Sequence, residues 1–456
     1  MKHEKLSEAM NEISDRHIAE AANAKKKRRP YWIGGLAAAL ALVILAAVLI
    51  NPLAIRAEAV STAEYPKYEW KRRPEIREER ALLASFFGSS ISTTLSGTDG
   101  ENQAYSPINL YMALSLTAEL TGGNSRQQIL DLLSADSVES LRAQANGIWN
   151  ACYLDDKNQT LLANSLWLNE SLSYRQSVMD TLADSYYTSV YRGALGSDKI
   201  NRAIQSWLNK QTGGLLKEEV RQAGIPSGTF AVLALYSTVY YQAKWLKSVE
   251  FSAGANTEGA FHAPGGDISS TFMNKKEMQT HYYWGEEYGA VSLGLKDGSR
   301  MWLILPDSGK TVDDVLSSGE FLTQVLSVSG GEAETSGSKY MKVNLSVPKF
   351  DISVQNDLKE DMQALGVTDI FDSGAADFSV SVEGDYPVWL TAMNQATRVA
   401  IDEKGVTAAS YIEKPGAGAA EPPEEIIDFI LDRPFLFVIT NCYNLPLFAG
   451  VVNQPQ

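Results

Sequence analysis

Four histidines occur in the 456-residue chain, and two of them, His3 and His17, fall in a charged amino-terminal segment. His262 and His281 are the imidazoles left to the bulk of the chain for proton transfer near neutral pH. Neither sits in a known catalytic pattern. There is no G-x-S-x-G nucleophile elbow and no H-E-x-x-H zinc pair. There is no phosphate loop either, since "SGKT" at 308–311 lacks the upstream glycine. His262 follows Phe261 beside a Pro-Gly-Gly turn and reads as a surface loop residue. The two cysteines, Cys152 and Cys442, lie 290 residues apart and make no disulfide framework. The plainer reading is two buried free thiols, with pairing left open. Hydrolase, nucleotide and zinc chemistry all lack their residues. No metal ion and no cofactor is expected, and the chain reads as a binder or inhibitor, not an enzyme.

One segment does carry a pattern: "GVTAASYIEKPGAGAAEPPEE", residues 405–425. Loops beyond about 15 residues are uncommon in compact domains and are usually functional or disordered. From Val406, one alternate set reads Val406, Ala408, Ser410, Ile412, small or apolar; the other reads Thr407, Ala409, Tyr411, Glu413. Strand side chains alternate between two faces, so this segment suits a half-buried strand. Lys414 would face inward if that strand ran so far, and Pro415 would remove one ladder N–H.

Composition fits a globular protein: 45% hydrophobic, 21% charged. The net charge of −15 argues against nucleic acid as a partner, because phosphate binding needs a basic face. Charge is uneven. Residues 1–30 carry eight Lys/Arg against five Asp/Glu. Residues 31–50, "YWIGGLAAALALVILAAVLI", carry none. As a helix rising about 1.5 Å per residue they would span roughly 30 Å, the thickness of bilayer hydrocarbon. "KKKRR" (Lys25–Arg29) stands directly before, which the positive-inside rule keeps in the cytoplasm. The expectation is a single-pass cell-membrane protein: cytoplasmic tail 1–30, signal-anchor helix 31–50, polar linker 51–74 and an extracellular domain 75–456. A buried core helix and a cleavable leader are the rivals, with "AEA" at Ala57–Ala59 a possible release site.

From Glu75 onward no repeat or second linker interrupts the chain. Helical patterns come first: 75–95, then "SPINLYMALSLTAEL" with Ser106 as N-cap and Pro107 at the first helical position, then "NRAIQSWLNKQTGG" with its Gly213–Gly214 stop. Strand patterns follow. "TFAVLALYSTVYYQAKW" (229–245) reads as a central strand buried on both faces. Helices first and strands later predict an α+β fold.

Eight stretches, in order, resemble the serpins over residues 75–456. Among them are "SPINLYMALSLTAELTGGNSRQQI" (106–129), "INRAIQSWLNKQTGGLL" (200–216), "STVYYQAKW" (237–245), "VPKFDISVQNDLKEDMQALGVTDIFDSGAADFS" (347–379), "VAIDEKG" (399–405) and "DRPFLFVITN" (432–441). The resemblance implies three β-sheets, about nine helices and an exposed reactive-centre loop, here 405–425. In the family that loop is bait for a serine or cysteine protease, and after acyl-enzyme formation its amino-terminal half inserts into the main sheet.

The resemblance also assigns residues. Glu403, Gly405, Val406, Ala408, Ala409 and Ser410 match the hinge that inserts. Ser106, Asn109, Ser237 and Gln395 match a polar cluster that helps the sheet part. Asn109 stands where Ser is usual, Ser237 where Asn is usual, and Gln395 where His is usual; each replacement still hydrogen-bonds. Spacing from Gly405 puts the bait bond between Ala419 and Ala420, within a window 417–424. Alanine there suits elastase-like or subtilisin-like proteases. The expected partner is such a protease, met by a monomer, with the membrane held through 31–50. The family suggested is a membrane-anchored bacterial-type member. The alternative is a non-inhibitory serpin-fold binding or structural protein at the cell surface.

Overall fold

The computed structural model describes residues 57–66, 77–98, 100–155, 159–212, 214, 223–226, 232–327, 337–384, 386–391, 393–406 and 423–455. Nine α-helices occur among them: α1 (Arg77–Leu95), α2 (Pro107–Leu120), α3 (Gly123–Leu132), α4 (Val138–Cys152), α5 (Gln176–Tyr186), α6 (Asp198–Gln211), α7 (Val312–Ser318), α8 (Glu320–Ser327) and α9 (Lys359–Ala364).

An eight-stranded sheet carries the site. Its path runs β1 (Glu58–Ser61), β6 (Thr188–Gly193), β4 (Gln159–Asn169), β7 (Leu233–Lys244), β16 (Gly405–Val406), β15 (Asn394–Asp402) and β13 (Phe350–Asp357), with β3 (Leu154–Asp155) beside β4. A nine-stranded sheet runs β17 (Ile426–Ile430), β12 (Ser338–Pro348), β9 (Gly266–Trp284), β10 (Tyr288–Gly294), β11 (Arg300–Pro306), β18 (Phe435–Thr440), β19 (Pro446–Val452) and β2 (Gln103–Tyr105), with β8 (Thr257–Ala263) on β9. β5 (Ser173–Tyr174) and β14 (Val382–Glu383) form a two-stranded third ladder. Three sheets and nine helices are thus present, though the 19-residue β9 makes one sheet continuous where separate sheets were implied.

Helix α2 is the pivot of the fold. Ser106 caps it by accepting from Asn109 N at 3.3 Å, and Pro107 occupies the first position, where its missing N–H costs nothing. All 14 of its residues are buried. A helix hidden on every side needs partners for its polar groups. Glu119 has them. Its carboxylate accepts from Arg142 of α4 at 2.6 and 2.9 Å and from the Tyr186 hydroxyl of α5 at 2.9 Å. Burial, then the Glu119 charge, push the Tyr186 phenol far up, so it stays a donor. One carboxylate therefore pins α4 and α5 to α2.

β7 departs from the expectation of a strand buried on both faces. Several of its residues are only half-buried. β7 pairs with β4 from Leu233 to Gln242, but among the described residues its other edge meets a strand only at Ala243 and Lys244, against β16. A strand open along one edge is not enclosed.

The single-pass, extracellular placement is corrected here. Among the described residues, no helix is long and apolar enough to cross a membrane. α1, the longest, interrupts its apolar run with "GSSISTT", and α2 spends its whole surface on the protein core. Residues 1–30 and 31–50 lie outside the described residues. Part of the stretch read as linker, 51–74, is a strand: Glu58–Ser61 pairs antiparallel with β6, and Ala59, the release site considered above, sits in that ladder. No disulfide joins the cysteines; Cys152 is buried and Cys442 exposed, so the second is not the buried thiol expected.

Replacing the buried carboxylate leaves a guanidinium and a phenol without their acceptor. Glu119→Ala is expected to cost roughly 3 kcal/mol, the range for breaking one side of a buried ion pair. Urea unfolding midpoints of the two proteins check this, and an unchanged midpoint would contradict it.

Candidate functional site

β15 ends at Asp402 and the chain turns back at once. Asp402 Oδ1 accepts from Lys404 N at 2.7 Å and Gly405 N at 3.1 Å, an Asx-type turn that reverses the backbone. Gly405 and Val406 then lie between two strands. Val406 pairs with Ile401 on one side and Ala243 on the other; Gly405 pairs with Asp402 and Lys244. Gly405 has φ +156°, and a Cβ there would stand 2.2 Å from Ala243 O and 2.7 Å from Lys244 Cα. Only glycine allows this approach. Val406 is 2% exposed.

The turn is clamped from outside. Glu403 forms an ion pair with Lys349 and accepts from Asn256 Nδ2 at 2.6 Å. Desolvation pushes its carboxyl up, but the bonds from Lys349 and Asn256 outweigh this and hold it at about 2. Trp245 donates from Nε1 to Asp402 O at 2.8 Å and from its backbone to Lys404 O at 3.1 Å. Phe251 N donates to Glu403 O at 3.3 Å. Lys349, Asn256 and Trp245 were not singled out from sequence. Trp245 closes the quoted "STVYYQAKW", and nothing in the sequence pairs Lys349 with Glu403.

Below the hinge, β7 and β15 form no ladder with each other among the described residues. A cavity of about 510 Å³ opens there, lined by Leu233–Ser237 of β7, Asn394 of β15 with Met393 just before it, and Ala113 of α2. The four polar residues assigned above meet at the first turn of α2. Gln395 of β15 grips Ser106 through both backbone groups: Ser106 N donates to Oε1 at 2.5 Å, and Nε2 donates to Ser106 O at 3.2 Å. On the opposite side, Ser237 Oγ of β7 lies against the amides of Asn109 and Asn164. A hydroxyl has one proton, so it donates to one amide and accepts from the other. Oδ1 of both amides faces the hydroxyl, so the Asn164 amide must turn over for its buried, partnerless Nδ2 to donate to Ser237 Oγ. Asn164, on β4, was missed because a strand asparagine carries no pattern of its own. α2 is thus fastened to both banks of the gap by short neutral bonds.

The histidines stand apart. His262 is exposed on β8, bonded to Asp267 at 2.7 Å, and His281 is packed against Tyr340 on the nine-stranded sheet. Ala408, Ala409, Ser410, Ala419 and Ala420 lie outside the described residues.

Comparison with known proteins agrees with this architecture. The model of the family "Serpin (serine protease inhibitor)" matches residues 83–455. A relative in Arabidopsis thaliana, Serpin-ZX, is 26% identical over 84% of this chain and 99% of its own. A serine proteinase inhibitor of Cavia porcellus is 26% identical over 91% of this chain and 97% of its own. The crystal structure of the thermophilic serpin tengpin in its native state superposes with a TM-score of 0.70 at 22% identity, covering 87% of this chain and all of that one. These sequence relatives are plant and animal proteins, and they give no support to a membrane-anchored bacterial type.

Two outcomes follow from the hinge geometry. The Glu403 carboxyl is depressed from an ordinary 4.5 to about 2, so its bonds add stability that is full above pH 4.5 and lost as pH falls toward 2. The wild type should exceed Glu403→Gln by about 2 kcal/mol at pH 6, after allowance for solvent screening, and by almost nothing near pH 2. Denaturation at both pH values reads this, and a gap that persists in acid would refute it. Gly405→Ala should expel residues 405–406 from between the strands. Backbone amide exchange at Val406 is expected to rise about tenfold or more; unchanged protection would show that the slot tolerates a side chain.

Proposed function

The chain belongs to the serpin family, and from that premise we propose that it is a suicide-substrate inhibitor of serine proteases whose bait bond is Ala419–Ala420. The observation that carries this is the seating of Gly405–Val406 between β15 and β7 above an open cavity. The new strand has already begun, and below it β7 and β15 share no ladder among the described residues.

The sequence of events follows from the geometry. The protease's nucleophilic oxygen attacks the Ala419 carbonyl carbon. The Ala419–Ala420 C–N bond breaks, and the leaving amine takes a proton from the protease's general acid. The severed segment, still esterified to the enzyme, is free to continue the ladder that Val406 starts. Each rung satisfies N–H and C=O groups along the edge of β7. Ala408, Ser410 and Ile412 turn toward the apolar cavity, and Thr407, Ala409 and Tyr411 toward the opposite face. The thirteen steps from Val406 to Ala419, at about 3.3 Å each, carry the enzyme roughly 40 Å from where it docked. Trapping succeeds if this run outpaces water's attack on the ester. Pro415 forfeits one bond, about 0.5–1.5 kcal/mol, near the end of the run.

Alanine before the scissile bond favours proteases with small apolar pockets. Mixing the full chain with elastase or subtilisin should give an adduct, stable in denaturant, near the sum of 49.9 kDa and the enzyme's mass. Ala419→Arg should abolish that adduct with elastase and create one with trypsin-like enzymes. Clean cleavage with no adduct, for every protease tried, would leave only the non-inhibitory binding role.

A further inference from the structure

The far edge of the eight-stranded sheet carries an extra strand, β1, that the site does not use. Its register with β6 runs Glu58 to Arg192, Ala59 to Tyr191 and Ser61 to Val190. Three further attachments follow within a few residues. Ser61 Oγ donates to Asp180 Oδ1 at 2.8 Å and accepts from Gln176 Nε2 at 3.1 Å, both on α5. Ala63 N donates to Ser189 Oγ of β6 at 3.4 Å. Tyr65 stacks on Trp149 of α4, ring centroids 5.7 Å apart and planes 4° from parallel, and on Tyr153 at 5.9 Å.

These contacts join two bodies that sheet opening would separate. β7, β4 and β6 move together, because β4 is laddered to both neighbours over most of its length. β15 stays with α2 through Gln395 and Ser106, and the bond from Ser237 of β7 to Asn109 of α2 is the one that parting must break. α4 and α5 stay with α2 through Glu119, and with each other through Asn146 Nδ2 to Ser185 O at 2.7 Å. Admitting a strand between β7 and β15 would shift β6 against α4 and α5, with the one-residue link Tyr187 between α5 and β6 as the turning point. The segment 57–66 crosses that shear boundary. It is laddered to β6 on one side and clasped and stacked on the helices on the other.

We propose that residues 57–66 are a brake on sheet opening, a strap on the edge opposite the cleft that raises the barrier to loop insertion. The assignment is independent of which protease the loop meets. It needs only that the sheet can part. Its elements divide the labour by chemistry. The β1 ladder holds the moving strands, and the aromatic stack holds the fixed helices without a directional bond that a small slip would break.

The test uses the full chain, Tyr65→Ala and Asp180→Ala, with native-state amide exchange read strand by strand. Asp180 is exposed on α5, so its loss disturbs no core. If the strap is a brake, both variants expose β7 amides, on the far side of β4, about tenfold faster for the loss of one stacked or bonded contact. Heated uncut variants should also reach a urea-resistant form sooner than the wild type. Faster exchange confined to β6, with β7 unchanged, would overturn the proposal and reduce the strap to a local cover. Should Tyr65→Ala fail to fold, Asp180→Ala alone decides between these outcomes.

Discussion

An unpaired strand edge in the middle of a sheet is the constraint from which the rest follows. Backbone N–H and C=O groups demand partners, and a central strand normally finds them on both sides. Among the described residues, β7 finds them on β4 alone for most of its length. The opposite edge faces a cavity, and the nearest strand across it, β15, is held at a distance by α2. The fold is therefore arranged around an incomplete ladder. The cost of that incompleteness is the driving force that any inserted strand would release.

Holding such a gap open without letting it collapse requires fasteners on both banks, and these must be weak enough to exchange. The structure uses amides and hydroxyls. Gln395 holds Ser106 from one bank, and Ser237 reaches Asn109 from the other. No member of the cluster is charged, so rearranging it exposes no ion to an apolar interior, where desolvation would cost several kcal/mol. A single hydroxyl proton on Ser237 shared between two amides can be redirected by a bond rotation. The buried charge in this region is placed elsewhere, on Glu119, where it fixes helices that do not need to move.

Much of this was legible in the chain, for reasons that differ by element. The N-cap of α2 was readable because Ser106–Pro107 is a local signal whose physics acts within four residues. The two-face alternation read from Val406 onward lies outside the described residues beyond Val406 itself. The described nine helices and the serpin architecture followed from stretches in a fixed order. What escaped were pairings between distant residues with no local signature: Glu403 with Lys349, Ser237 with Asn164, Glu119 with Arg142. The half-buried state of β7 escaped for another reason. An apolar run reads as enclosed, and only the tertiary arrangement shows that one side was left open. The strand at 58–61 escaped because "EAVS" is too short and too polar to announce itself; it exists only because β6 offers a free edge. The membrane placement rested on residues 31–50, which lie outside the described residues; among those described, no helix is long and apolar enough to cross a membrane.

Two fasteners of unlike chemistry now guard one gap, and their responses to conditions must differ. The hinge clamp is ionic: Glu403 with Lys349, a carboxyl held at about 2. It weakens in strong acid and in high salt. The cluster beneath is neutral, built from Ser106, Asn109, Asn164, Ser237 and Gln395, with no group that titrates between acid and alkali. Where an imidazole would have changed its charge near neutral pH, Gln395 presents the same donor and acceptor at every pH. The upper clamp can therefore be released while the lower one holds. The hinge is then free to leave or enter its slot without the sheet parting, and the sheet's own opening is left to the neutral bonds around the first turn of α2.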